Sequence, residues 1–370
     1  MKIESFELER IQSIWEHVVE YNLAESGIHP LSLEEFLNEK EIEEIPKLKM
    51  GYSQTNGTIE LREKISELYP GATIENILVT NGSSEANFLL IWSSVEVGDE
   101  VIFMMPNYMQ IWGLLRCFGA TVKSFYLKED LSWAPDLEEL KELVTDRTKL
   151  IIITNPNNPT GAILSEKAME EIINLADKVG AWIIADEIYR GVELNGEITP
   201  SFWGKYDKTA VVGGLSKAFG LPGLRIGWIV SSKELVNKLW HYHDYTTIAP
   251  STLSDWLAQI ALSPHNREKI LERNRKILRK NLSTLISWFE KQGDLFQYIP
   301  PKAGAIVFTR YNLNIDSIQL VNKLIHEKSV LIAPGAYFTM EGYIRFGYGV
   351  EENYLINALS RIEELINELR

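Results

Sequence analysis

The stretch "GGLSKAFGLPGLRIGW", residues 213–228, holds one amine, Lys217, among glycines with no acidic residue beside it, and one guanidinium, Arg225, eight positions on. A lysine in such a setting is either a solvated side chain, the ordinary fate of the type, or a desolvated amine of lowered pKa that can form a Schiff base with a carbonyl. The surrounding glycines would let the backbone crowd a ligand. A phosphate loop of the G-x-x-x-x-G-K-[ST] kind is excluded by spacing, because its second glycine lies after the lysine and no Ser or Thr follows the lysine. Other segments carry polar groups at places where an apolar run stops. "TNGSSEA", residues 80–86, ends one such run and opens a helical period, so Ser83, Ser84 and the free N–H groups of the helix start could hold a phosphate. The alternative is an ordinary N-cap at Ser83 or Ser84. "NPNNPTG", residues 155–161, presents Asn158 on a proline-stiffened turn. "ADEIY", residues 185–189, ends a run with Asp186 and adds Tyr189; the carboxylate either caps the next segment or meets a charged partner in a cleft.

These groups need a scaffold, and the pattern supplies one. From about residue 58 the chain alternates amphipathic helical segments such as "TIELREKISELY", "SSEANFLLIWSSV" and "SEKAMEEIINLADKVG" with the short apolar runs "ILVT", "EVIFMM", "KLIIIT" and "AWIIADE". Strand–helix alternation with continuous apolar runs predicts an α/β fold: a mainly parallel sheet flanked by helices on both faces. The large domain is expected over residues 46–275. A smaller α+β domain is expected from residues 276–370 together with 1–45, where "ELERIQSIWEHVVEY" reads as a helix. One long helix, "REKILERNRKILRKNLSTLISWFEKQ", should connect the two. Catalytic groups then belong in the cleft at the carboxyl ends of the strands.

Composition narrows the function classes. At 370 residues and 45% hydrophobic, the chain can bury a large core. A net charge of −14 disfavours nucleic acid and anionic membranes as partners. Cys117 is the only cysteine, so no internal disulfide forms and no cysteine-rich metal site exists, which points to a reducing, cytoplasmic setting. No metal is expected. The opening "MKIESFELERIQSIWEH" is too charged for the apolar core of a signal peptide, and no run approaches the roughly eighteen apolar residues of a membrane span.

Taken with their order and separation, "NPNNPTG", "ADEIY" and "SKAFGLPGLRIGW" resemble the NPxNPTG, D-x-x-Y and SK-x-x-G-x-x-G-x-R-x-G motifs of the fold-type I pyridoxal-phosphate enzymes, the aspartate aminotransferase superfamily, class I/II branch. The resemblance runs from about Met50 to Gly347. It implies pyridoxal 5'-phosphate held covalently by Lys217, which also moves the Cα proton. Asp186 would keep the pyridine nitrogen protonated, while Asn158 and Tyr189 bond the ring hydroxyl oxygen and Tyr108, in "PNYMQIW", stacks on the ring. The phosphate would lie among Ser83, Ser84 and Arg225. Tyr52, in "GYSQTNG", would reach the phosphate of a neighbouring subunit, which implies a homodimer. Arg345, in "YIRFG", would clamp the substrate α-carboxylate; on spacing alone it could equally be an exposed salt-bridging residue. Gly27 would lie beside the substrate with Asn158.

The pattern departs from the family at Gly214, where a hydroxyl residue commonly stands, so Ser216 could compensate only by turning inward. "HYHDYTTIAPS", residues 241–251, could reach a neighbouring pocket or pack at a helix end. The implied activity is an aminotransferase acting on an amino acid and a 2-oxo acid by a ping-pong mechanism. The alternatives are a lyase or cyclase of the capreomycidine synthase type, which "AESGIHPLSLEEF" resembles, and, more remotely, a non-catalytic ligand-sensing domain. No second arginine suggests a dicarboxylate substrate.

Overall fold

Each short apolar run between residues 77 and 230 becomes a strand of one sheet in the computed structural model, which describes residues 2–370. The eight strands lie in the order Ile77–Thr80, Gly227–Val230, Thr209–Gly214, Trp182–Asp186, Thr148–Thr154, Glu100–Met105, Thr121–Lys128, Ala134–Pro135. Thr209–Gly214 through Thr121–Lys128 pair in parallel, whereas Gly227–Val230 runs antiparallel to both its neighbours and Ala134–Pro135 antiparallel to its one. Alternation along the strands explains why the runs are apolar throughout. Ile102, Met104, Ile151 and Ile153 face one core, while Val101, Phe103, Met105 and Ile152 face the other. A strand covered on both sides has no solvent face for polar residues. Each such side chain contributes about 1.5–3 kcal/mol by leaving water, so the middle of the sheet is a rigid base for whatever its strand ends carry.

The second sheet is antiparallel, ordered Phe296–Tyr298, Ile306–Tyr311, Tyr343–Gly347, Ala333–Pro334. The helices Ser317–Lys328 and Glu352–Leu369 accompany it. Near the amino end, Tyr21–Asn22 pairs in parallel with Val330–Leu331, so the first segment of the chain is bonded to the last third. The connecting helix spans Pro264–Lys291 without interruption, and residue 275 falls inside it. The first helix is shorter than its sequence suggests: it runs over Glu7–Trp15, and the following Val18–Val19 is in a turn. Tertiary pairing of Tyr21–Asn22 with the Val330 strand and the low helical propensity of paired β-branched residues outweigh the apolar period there. No helix among the described residues is long and apolar enough to cross a membrane.

Candidate active site

The carboxyl ends of the parallel strands converge on one cleft. Ile77–Thr80 leads into Ser83 and Ser84, Glu100–Met105 into Tyr108, Thr148–Thr154 into Asn158, Trp182–Asp186 into Asp186 and Tyr189, and Thr209–Gly214 into Ser216 and Lys217. All of these line the cleft, together with Arg225 from the turn before Gly227–Val230 and Arg345 from the second sheet. Gly27 lies against it: a Cβ there would meet Glu25 Oε1 at 3.0 Å and the Lys217 side chain at 3.6 Å. Tyr52 does not join them. It is 90% exposed and makes no part of its own chain's cleft.

Lys217 is not bare. Its Nζ donates to Glu25 Oε1 at 2.6 Å, from a residue far away in sequence, and the same oxygen accepts the Gly27 N–H at 2.7 Å. Burial would lower the amine's pKa, but the Glu25 charge and hydrogen bond outweigh it and hold Lys217 above the usual lysine range. This corrects the lowered pKa expected from the local sequence, where no acid is in sight. Burial likewise opposes ionisation of Glu25, and Lys217 overrides it, keeping the carboxyl below its ordinary value.

Asp186 is 7% exposed. Its Oδ1 accepts the Ile188 N–H at 3.1 Å and its Oδ2 the Asn87 Nδ2–H at 3.3 Å, so it caps the next turn and faces the cleft at once. Burial pushes its pKa up, only partly countered by those bonds. Arg345 is 1% exposed, which removes the surface salt-bridge alternative. Its Nη1 donates to Asn158 Oδ1 at 2.7 Å and its Nη2 to the Ala24 carbonyl at 2.5 Å, and its guanidinium lies over the Phe338 ring. Tyr108 donates its hydroxyl to Glu9 Oε1 at 2.8 Å and packs edge-on against Phe6.

The Ser83–Ser94 helix takes Gly82, not Ser83 or Ser84, as its N-cap, with no side-chain cap bond. Gly82 has φ of 83°, and a Cβ on it would come within 2.3 Å of Arg225 Nη2, so only glycine lets the guanidinium close over the helix start. Ser216 does turn inward, its Oγ 3.4 Å from Arg225 Nη1. Gly214 has no space for the hydroxyl side chain that commonly stands there: a Cβ would meet Ile188 Cδ1 at 2.9 Å and the Ile226 carbonyl at 3.1 Å. The "HYHDYTTIAPS" segment lies outside its own chain's cleft, part packed and part exposed, with Tyr245 83% exposed. His243 is buried with Nε2 near Thr247 and Glu85, and Tyr242 packs on Trp92.

Whether these residues fit pyridoxal phosphate is tested by what they leave unfinished. Asp186 has no cationic partner within salt-bridge distance among the described residues, and a carboxylate buried so costs several kcal/mol unless a cation meets it. A protonated pyridine nitrogen is such a cation. The buried Tyr189 hydroxyl and Arg345 Nε have no hydrogen-bond partner among the described residues, which leaves donors for a ring oxygen and a carboxylate. The helix start, with Ser83, Ser84, Ser216 and Arg225, forms an anion cradle. The donor set fits the coenzyme at each of its polar ends.

Several lining residues carried no motif. Leu8, Glu9, Gln12 and Glu16 come from the first helix and its C-cap, at spacings that put them on one face, and Glu25 and Asn87 are further additions. The only sequence signal for the first group was polar Glu9 and Gln12 adjoining the apolar stripe of Leu8, Ile11 and Trp15.

A family model for aminotransferase class I and II matches residues 32–362. A crystal structure of a PLP-dependent aminotransferase from Streptococcus suis superposes with a TM-score of 0.94 at 35% identity, over 100% of this chain and 99% of that one. The aspartate aminotransferase of Thermotoga maritima is 26% identical over 89% of this chain and 87% of its own length. The capreomycidine synthase of Streptomyces vinaceus is 28% identical over 78% of this chain and 74% of its own length.

Proposed function

Because the chain belongs to the aminotransferase class I and II family, whose coenzyme is pyridoxal 5'-phosphate, we propose that it moves an amino group from an amino acid to a 2-oxo acid in two half-reactions. The observation that carries this reading is a single cleft lined by the Lys217 amine, its ion-pair partner Glu25, the buried guanidinium of Arg345 and Asp186. When bound, pyridoxal phosphate supplies an aldehyde that condenses with amines and a ring that takes up the electron pair left when Cα loses its proton.

The protein's part is binding, orientation and proton transfer. Lys217 would hold the coenzyme, and Glu25 Oε1, 2.6 Å away, orients its amine. Once the substrate amine displaces it, the Lys217 Nζ is the base that takes the Cα proton. Asp186 would hold positive charge on the ring nitrogen, and Asn87 and the Ile188 N–H fix its orientation. Arg345, steadied by Asn158 and the Ala24 carbonyl, would bind the substrate α-carboxylate through its remaining N–H donors. Tyr189 would donate to the ring oxygen, Tyr108 would cover the ring, and Ser83, Ser84, Ser216 and Arg225 would hold the phosphate. The exposed Tyr52 supports a homodimer in which it completes the neighbouring site. A lone cysteine supports a cytoplasmic setting.

The similarity to a capreomycidine synthase supports a second reading, elimination at Cβ with or without ring closure. The two differ in how the coenzyme is left. With a donor amino acid and no oxo acid, a transaminase should convert its coenzyme stoichiometrically to the amine form, lose the visible absorbance and regain it on adding a 2-oxo acid. A lyase or cyclase returns to its starting spectrum unaided while product accumulates, and that outcome would replace the first reading by the second.

A further inference from the structure

We infer that Asn274 and Asn281 are positioning residues, two buried amides on one helix that set the separation between Lys217 and Arg345, the amine and the guanidinium that must engage one substrate molecule. The inference rests on the function proposed above and adds how the two sheets are held in register for it. Both residues lie on the connecting helix Pro264–Lys291. Their spacing of seven places them on the same face, about 10 Å apart along the axis. Asn274 is 0% exposed and Asn281 2%. The Asn274 Nδ2–H donates to the Ala218 carbonyl at 2.9 Å, on the residue after Lys217. The Asn281 Nδ2–H donates to the carbonyls of Tyr348 and Val350 at 2.8 and 2.6 Å, just past the strand Tyr343–Gly347 that carries Arg345. One uninterrupted helix therefore grips the backbone behind each of the two groups.

Packing alone does not call for amides at these positions. The helix buries Ile270, Leu278 and Leu285 among its core residues, and a polar group withdrawn from water is unfavourable unless it is bonded. Asparagine is also a poorer helix former than leucine. Asn274 is itself held in place: its Oδ1 accepts the Arg273 Nη1–H at 2.9 Å, and the same Nη1 reaches the His29 carbonyl at 3.4 Å, in the segment that follows Glu25 and Gly27. The tips of the two groups are tied as well, Lys217 to Glu25 and Arg345 to Asn158 and to the carbonyl of Ala24, the residue before Glu25. Those bonds are made by the atoms that engage coenzyme and substrate, so they are the ones exchanged during turnover. The asparagine bonds lie behind them on the backbone and need not be broken. Two groups that share a substrate are sensitive to their spacing, since a displacement of about 1 Å lowers a rate by up to about 100-fold.

The test uses the holoenzyme, reconstituted with pyridoxal phosphate, and two oxyamines that displace Lys217 from the coenzyme and change its visible absorbance. Aminooxyacetate carries a carboxylate that Arg345 can hold; methoxyamine carries none. The parent should react faster with aminooxyacetate. In Asn274→Ala and in Asn281→Ala the ratio of the two rate constants should fall toward one, by about 10-fold, because only the carboxylate-bearing probe needs both groups at once. A general folding defect slows both probes alike and leaves the ratio where it was. Asn274→Leu and Asn281→Leu, which keep the volume and lack the donor, take the place of an alanine variant that does not fold. Deuterium exchange of the coenzyme-free proteins supplies a second readout: it should quicken over residues 218–221 in the Asn274 variants and over residues 348–350 in the Asn281 variants. An unchanged ratio at either position, unchanged exchange, or a parent with no preference for aminooxyacetate overturns the inference while leaving the aminotransferase reading standing. A chain that binds no coenzyme at all takes both down together.

Discussion

Lys217→Ala should fold, melt within a few degrees of the parent, and retain no more than about one part in ten thousand of its activity. The loss is large because one nitrogen serves twice, as the anchor of the coenzyme and as the base at Cα, and general-base catalysis alone is worth about 10²–10⁴-fold. The fold should tolerate the change because the amine makes one side-chain contact, to Glu25, whose side chain keeps 42% of its surface accessible. Circular dichroism, a thermal melt and single-turnover assay on the same preparation check both halves. An inactive variant that is also unfolded would show that the residue is structural.

Asp186→Asn should likewise lose activity, with stability unchanged or raised. In Asp186→Asn we expect activity to fall by about 10²–10⁴-fold, the range for breaking one buried charge pair, while the coenzyme-free protein is as stable as the parent or slightly more so. The sign follows from the direction of its pKa. Burial raises the folded-state value above the unfolded one, so at any pH above the unfolded value the native state carries an unfavourable term that the amide removes. Only the protonated ring nitrogen makes that charge useful, and a residue kept at a cost to stability is what a functional group looks like. Parallel melts of the coenzyme-free proteins and half-reaction rates of the loaded ones check this. A marked loss of stability with activity intact would assign Asp186 to the scaffold.

The parts of this chain that were legible in its sequence share a physical reason. "ILVT", "EVIFMM", "KLIIIT" and "AWIIADE" are apolar throughout because their strands are covered on both faces, and the polar residues just beyond each run lie at strand ends, where a parallel sheet collects them. Thus Asn158, Asp186 and Lys217, which share no local pattern, meet in one cleft. What escaped the sequence comes to the cleft from elsewhere. Glu25 reaches Lys217 from 192 residues away in sequence, Asn87 reaches Asp186 from the Ser83–Ser94 helix, and Glu9 reaches Tyr108 from the first helix. No periodicity encodes contacts of that kind. Lys217 is isolated among its neighbours in sequence and paired only through the fold. The missing hydroxyl at Gly214 is likewise a packing fact, the space being filled by Ile188 and the Ile226 carbonyl.

The central claim is a bond between the coenzyme and one nitrogen. Borohydride treatment of the enzyme loaded with pyridoxal phosphate, followed by proteolysis and mass mapping, tests it directly. The account predicts a single reduced adduct on the peptide containing Ser216–Lys217–Ala218; modification spread over surface lysines, or confined to a lysine outside the cleft, would contradict it.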